Sequence, residues 1–421
     1  MSLKVLIVSN NEFCLTESNG RVLGTLLQCI SNEEKLQFCI NGSSVSSALI
    51  TESYRISDKT VLKGVLSSKI RATKLPCDLQ ASSSAKKKKK IKRTAGTMLI
   101  RDLVWKSCLS RLEFFDLAKQ FHPDIILWQY GDSGFMADLV RQLALKFESK
   151  LVVFTTEDYY FKTWDYFAKK DRSFSYKLFS SEMKYATKKA FDMTTLCIAN
   201  TPQLAERFER AFKCRTEVIM NSSEITQIGV NFGTQIENRI VYAGNLGINR
   251  HLSIISIARA LKRIDPSIHF EVYGKPEETV AKMLEAEENI YLMGFVSYQE
   301  ITQIIKQSRL VIHAESFEDF YRYDLKAAFS TKITDALVSG TPLFIYAPEE
   351  LAETDYLVQN SCAFVCTDET DLDDRLRCAL YDDVKRESII AKGKEIVYKN
   401  HNAEKNSQRM LELLQSILEE L

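Results

Sequence analysis

Short apolar runs of strand length alternate with helical patterns along almost the whole chain, and this alternation limits the fold more than any other feature. Strand-like runs fall at 4–8, 124–128, 151–155, 195–199 and 217–220. A second series falls at 239–243, 268–273, 289–292, 309–313, 343–346 and 363–366. Helical spacing lies between them, as in Met136, Ala137, Leu139, Val140, Leu143 and Ala144, or Ile254, Ile257, Ala258 and Leu261. Such a series predicts an α/β class with parallel sheets covered by helices on both faces. At 421 residues the chain is long for one core, so two domains are expected. The series restarts after the turn-like Asn221-Ser222-Ser223-Glu224 and the polar, glycine-containing stretch 225–237. The predicted domains are therefore 1–224 and 225–402. An amphipathic terminal helix follows over 403–421, with Met410, Leu413, Leu414, Ile417 and Leu421 on one face.

Net charge directs the chain to no polyanionic partner as a whole. Lys and Arg number 56 against 55 Asp and Glu, so no global field favours nucleic acid or membrane, and any basic site must be local. Ten cysteines form no C-x-x-C pair, which fits a reducing cytoplasm. Cys362 and Cys366 fall on one face of a strand and read as packing thiols. Met1-Ser2-Leu3-Lys4 runs straight into Val5-Leu6-Ile7-Val8, so no signal peptide is expected, and no apolar stretch is long enough to span a bilayer. His122, His251, His269, His313 and His401 do not pair with one another at ligand spacing, so neither a metal nor another cofactor is expected. His122 reads as a strand-entry residue, and His313 as a neighbour of the ligand.

Three segments carry candidate chemistry. In Phe329-Ser330-Thr331-Lys332-Ile333-Thr334-Asp335, a helix starts with hydroxyls and a lysine and bears a carboxylate one turn in. It stops at Gly340-Thr341-Pro342 and feeds the apolar run 343–346. Unpaired amides and the positive dipole end at a helix start suit phosphate, and Lys332 adds a full charge. Asp335 offers an acceptor for sugar hydroxyls. The same segment also reads as an ordinary capped helix. Earlier, Val241-Tyr242-Ala243-Gly244-Asn245-Leu246-Gly247-Ile248-Asn249-Arg250 reads as strand, glycine turn and helix. There backbone approaches a phosphate and Arg250 forks onto its oxygens, or the turn is structural. It is not a G-x-G-x-x-G fingerprint, which argues against NAD. Between the two, Gly294-Phe295-Val296 ends a strand where backbone groups suit a base edge, unless Phe295 is a core residue. All of these follow strands of one sheet, at the carboxyl ends where open α/β sheets bind ligands.

With these motifs the chain resembles the retaining, family 4-like glycosyltransferases of GT-B architecture, particularly those of bacterial surface polysaccharide synthesis. The resemblance spans nearly the whole chain and is most specific over 239–366, including His313-Ala314-Glu315-Ser316-Phe317. It implies two facing Rossmann-like domains, the second holding a nucleotide-sugar donor, which the family suggests is a UDP-sugar. The first would hold a saccharide or polyprenyl-diphosphate-linked acceptor, and the terminal helix would cross back to it. Arg250 matches the family's phosphate-binding base, and Lys332 joins it as the second catalytic cation. Gly244, Asn245, Gly294, Phe295, Val296, Ser330, Thr331 and Asp335 are the donor-binding candidates. Asp335 matches the second acid of the E-x7-E motif. The chain departs from the family at Asn245, where Arg is frequent, and at Ala327, where the first acid of that motif belongs. Glu315 and Glu318 are candidates for the missing acid. In the first domain Asn19 and Gly20 stand in the family's glycine loop, and Glu157 and Asp158 stand where relatives have a His-Asp pair.

The implied activity is hexosyl transfer with retention, in which the departing phosphate takes the acceptor's proton. Two other readings share the architecture. A 2-epimerase of nucleotide sugars needs histidines that this chain is short of, and a silent nucleotide-sugar-binding subunit fits the absent first acid. Finally, the lysine run within 86–93 and the interleaved aromatics and cations of 161–191 suit an anionic bilayer surface, predicting a peripheral enzyme on the inner face of the plasma membrane. Solvated lysines on a loop and a helix are the plainer alternative.

Overall fold

A computed structural model of the chain describes residues 3–13, 18–78, 93–168, 173–222 and 236–420. The chain divides into two compact units, Met1–Met220 with Glu404–Leu421, and Asn221–Ala403. Of the linker predicted at 225–237, residues 225–235 lie outside the described residues, and Ile236 already begins a strand.

The first unit is built on an eight-stranded sheet with the order β10-β9-β8-β7-β1-β2-β4-β5. Its strands are β1 (Val5–Ser9), β2 (Lys35–Cys39), β4 (Ser53–Arg55), β5 (Thr73–Lys74), β7 (Ile125–Gln129), β8 (Lys150–Thr155), β9 (Thr194–Ala199) and β10 (Thr216–Val218). A two-stranded ribbon joins β3 (Val45–Ser46) to β6 (Cys77–Asp78). All neighbours in the main sheet run parallel except β4 and β5. Central strands such as Val-Leu-Ile-Val-Ser of β1 are buried throughout, as a sheet covered on both faces requires.

Strand β2 escapes a hydropathy reading because Lys35 and Gln37 alternate with its apolar residues, yet all five residues are buried. Lys35 Nζ donates to the carbonyls of Leu27 (3.2 Å) and Leu49 (2.8 Å), and burial pulls its pKa down to about 8. Gln37 Nε2 donates to Ser9 Oγ at 2.9 Å. The terminal helix Ala403–Glu419 belongs to this unit, where Met410, Leu414 and Ile417 are fully buried in the core around β1. Burying three such side chains contributes roughly 1.5–3 kcal/mol each. Asn406 Nδ2 adds a bond to the Met220 carbonyl at 3.1 Å.

The second unit holds a six-stranded parallel sheet in the order β13-β12-β11-β14-β15-β16. The strands are β11 (Ile236–Ala243), β12 (His269–Tyr273), β13 (Ile290–Gly294), β14 (Ser308–Ala314), β15 (Leu343–Tyr346) and β16 (Phe364–Cys366). Counted within the unit, this is the doubly wound order 3-2-1-4-5-6. The order reverses between β11 and β14, the point at whose carboxyl ends sheets of this kind bind ligands. Ile240, Tyr242, Phe270, Val272, Leu310, Ile312 and Phe344 form its core with the helix Arg250–Ile264. Cys362 and Cys366 are buried, and burial pushes their thiols up to about 12 and about 11. His122, three residues ahead of β7, is also the left-handed cap of the helix Phe114–Phe121, with φ 54°.

Candidate functional site

The site is assembled at the β11/β14 reversal. After β11 the chain turns at Gly244, whose amide donates to the Tyr273 carbonyl at 2.9 Å. Tyr242 Oη donates to the Asn245 carbonyl at 2.9 Å, and Asn245 Oδ1 accepts the Gly247 amide at 2.8 Å. Asn245 therefore braces the turn. Ile248 and Asn249 follow at φ 54° and 59°, the left-handed region that a β-branched residue rarely enters. That strain delivers Arg250 at the start of its helix, and strained backbone of this kind concentrates at functional sites.

Arg250 forks onto Glu315, the residue just after β14. Its Nε and Nη2 donate to Glu315 Oε2 and Oε1, each at 2.7 Å. The pair is largely removed from water, with side-chain exposures of 12% and 2%. Nη1 stays on the outer side, with only a long 3.5 Å contact to the Asn245 carbonyl. Glu315 thus reads differently from its expected role: its carboxylate is spent on Arg250 and buried. Burial opposes its charge, but His313 and Arg250 hold it well below the usual carboxylate range. Glu318 is exposed and accepts from Asn249 Nδ2 at 2.8 Å.

The helix Thr331–Ser339 enters from the other side. Ser330 caps it, its Oγ accepting the Lys332 amide at 3.4 Å, and Gly340 ends it at φ 76°, where a side chain would be strained. Lys332 Nζ stands against the Gly244 turn, within 2.8 Å of where a Cβ on Gly244 would lie. A side chain at this position would push the Lys332 amine aside and crowd Tyr242 Oη, 2.9 Å from the same point. Burial, then repulsion from Arg250, pulls the Lys332 pKa down to about 8. Arg250, Lys332 and the start of one helix thus converge, which is the arrangement a diphosphate needs. Asp335, one turn in, accepts from Tyr298 Oη at 2.8 Å.

Gly294-Phe295-Val296 lies at the end of β13, two strands from β11, or about 10 Å. Gly294 has φ 76°, and Phe295 is 84% exposed, so it is not a core residue. Behind the cations, His313, Glu315 and Glu353 each present a ligand atom within 4.8 Å of one another. Arg250 and Lys332 stand beside the two carboxylates, so cations of the chain itself already balance them. Glu353 was not singled out in the sequence; it lies 40 residues from His313 and no local motif marks it.

Residues 250–412 match the family of glycosyl transferase-like domains. No curated protein matches the chain. Among solved structures, HepE from Anabaena in complex with UDP superposes with a TM-score of 0.64 at 13% identity, covering 98% of this chain and 100% of that one. Sucrose-phosphate synthase from Thermosynechococcus elongatus gives 0.66 at 11% identity, covering 99% and 100%. A glycosyltransferase from Rickettsia africae gives 0.61 at 11%, covering 99% and 99%. The chain has the GT-B architecture of these structures, and its residues 250–412 carry a glycosyl transferase-like domain. Each of its units carries a Rossmann-like sheet.

In the first unit the sheet order reverses at β1. Gly131, after β7, approaches Asn10, after β1, so closely that a Cβ would fall 2.6 Å from Asn10 Nδ2. Asp132 follows, nearly buried, and accepts from Arg93 Nη2 (2.5 Å) and Tyr166 Oη (3.2 Å). Sequence reasoning missed Asp132 because Tyr130-Gly131-Asp132-Ser133 resembles an ordinary turn. Gly20 lies buried in the helix Ser18–Leu26; Asn19 is in the same helix, but its side chain lies outside the described residues. Asp158 is buried and its charge is balanced by Arg207 (2.7 Å) and Lys162 (3.5 Å). Glu157 is half-buried beside it, and its carbonyl accepts Thr155 Oγ1 at 2.8 Å.

The aromatics of 161–191 do not all face outward. Tyr176 and Phe179 are fully buried, and Tyr166 and Phe167 pack on them. Lys86 to Lys90, Lys169, Lys170 and Arg172 lie outside the described residues, while Arg93 stacks over Phe167. Among the described residues, no helix is long and apolar enough to cross a membrane.

Proposed function

We propose that this chain is a glycosyltransferase that moves a hexosyl group from a uridine-diphosphate sugar to a saccharide or lipid-linked saccharide acceptor, with retention at the anomeric carbon. The observation that carries the reading is the convergence of Arg250, Lys332 and the start of the helix Thr331–Ser339. Negative charge grows on the distal phosphate as the sugar leaves. Fixed cations and amides aimed at it stabilise that charge without reorganising. Arg250 is held by Glu315 through Nε and Nη2, which leaves Nη1 to meet the phosphate. The retaining step follows as an internal return: the phosphate oxygen released on one face accepts the acceptor's proton there. Asp335 is assigned to the ribose, Gly294-Phe295-Val296 to the base, and Glu318 to the donor sugar. Uridine is supported by HepE, whose structures hold UDP and UDP-glucose. The two cations supply the neutralising charge, so turnover is expected to persist in EDTA.

A peripheral site of action on the inner face of a bacterial plasma membrane is part of this proposal, in the synthesis of a capsule or exopolysaccharide. Exposed Ile100, Leu103, Phe174, Leu178 and Tyr185 support it, since they lie on two packed helices beside Lys177, Lys188 and Lys189. Unchanged sedimentation with anionic liposomes after replacing Lys86 to Lys90 with serine counts against it. For the reaction itself, the test is a panel of UDP-sugars with membrane extract as acceptor. UDP release that disappears in Arg250→Ala, with a product of unchanged anomeric configuration by NMR, is expected. An epimerised intact donor, or binding without any turnover, contradicts the proposal.

A further inference from the structure

The two carboxylates behind the cradle are joined by one side chain. His313, the penultimate residue of β14, is buried. Its Nε2 lies 2.8 Å from Glu353 Oε1 and 3.4 Å from Glu315 Oε1. Each carboxylate also holds a piece of the cradle. Glu315 takes the Arg250 fork, both bonds at 2.7 Å. Glu353 Oε2 accepts the amide of Ser330, the cap of the helix Thr331–Ser339, at 3.2 Å. The chain of contacts therefore runs Arg250, Glu315, His313, Glu353, Ser330. It crosses from the turn after β11 to the helix start before β15. Without the ring, two buried carboxylates would face each other with no donor between them, an arrangement that low-dielectric surroundings penalise heavily.

We infer that His313 is a positioning residue of the diphosphate site: through Glu315 it sets the attitude of Arg250, and through Glu353 it sets the start of the helix that carries Lys332. This rests on the proposed binding of a nucleoside diphosphate. His313 itself touches no substrate; it fixes the distance between the two groups that do. Its loss should weaken ligands that carry a diphosphate and spare the part of the site that holds the nucleoside.

Isothermal titration of wild type and His313→Gln with UDP, uridine and inorganic pyrophosphate reads this directly. A bond to a charged group commonly accounts for a factor of about ten or more in affinity. UDP and pyrophosphate affinity falling about tenfold in the variant, with uridine affinity within about twofold, is the expected result. Unchanged UDP affinity overturns the inference. So does an equal loss for uridine, which marks a merely structural role. Should the variant fail to fold, Glu353→Gln removes one arm of the bridge and carries the same expectations. If wild type binds pyrophosphate but not UDP, the proposed donor is wrong, and the pyrophosphate arm still decides the role of His313. If it binds neither, the diphosphate site and the positioning role fall together.

Discussion

Donor affinity should fall steeply as pH rises through the region where Lys332 titrates. Burial and the neighbouring Arg250 lower this amine from 10.5 to about 8 in the free protein. At about 1.4 kcal/mol per pH unit, that displacement represents on the order of 3 kcal/mol held against the charged form. A bound diphosphate brings opposite charge to the same place and returns the amine towards its ordinary value. Binding above pH 8 must then be accompanied by proton uptake, and linkage makes the apparent Kd rise by up to about tenfold per pH unit. Over pH 8 to 10 the loss should approach two orders of magnitude. Phosphate ionisation does not interfere there, because its second pKa lies near 6. His313 adds a smaller, later component. Burial pulls its ring down, but Glu353 and Glu315 outweigh that and hold it up to about 9. The assay is titration of UDP between pH 7 and 9.5 in two buffers of different ionisation enthalpy. Lys332→Ala should bind weakly at pH 7.5 and lose most of the dependence and most of the proton uptake. A flat wild-type profile, or an identical slope in the variant, would refute the placement of Lys332 on the phosphate.

Three further outcomes are expected. Asp335→Ala should raise the donor KM about tenfold while kcat stays within about threefold, as for one charged hydrogen bond to the ribose, read by initial rates. In Gly274→Ala, the new Cβ would overlap the Gly244 carbonyl, so the turn must shift; weaker UDP binding with little change in the circular dichroism spectrum is expected. His401 is buried, with Nδ1 on the Asn221 carbonyl (2.6 Å) and Nε2 against Tyr356 Oη (2.9 Å), and burial lowers its pKa to about 4. The unfolded chain binds this proton near pH 6.5, so the ring's contribution is complete above that value and is lost as pH falls through 4. Calorimetry should show the second unit losing about 2 kcal/mol from this group between pH 7 and 5, a loss absent in His401→Gln.

The fold was legible where sequence and burial agree. Strands such as Val5–Ser9 and Leu343–Tyr346 are buried throughout and apolar but for their last residues, because both faces of a parallel sheet are covered. Lys35–Cys39 hid itself because its lysine and glutamine are satisfied by carbonyls and a hydroxyl inside the core. The cationic half of the site was legible because each piece is local: a glycine turn before Arg250, and a capped helix bearing Lys332 and Asp335. The anionic half was not. Glu315 looked like a sugar ligand until the Arg250 fork placed it in the interior. Glu353 sits on a helix where nothing nearby in sequence suggests chemistry, and only the sheet order brings it to His313. In the first unit, Asp158 reads as an active-site acid from its strand-end position, yet Arg207 arrives from a helix some fifty residues later to neutralise it.

The most direct measurement is a crystal structure of the protein soaked with UDP. The distal phosphate should lie within hydrogen-bond distance of Arg250 Nη1, Lys332 Nζ and the first amides of the helix Thr331–Ser339, with Arg250 still seated on Glu315. Density for UDP elsewhere, or a phosphate that contacts neither cation, would contradict the account.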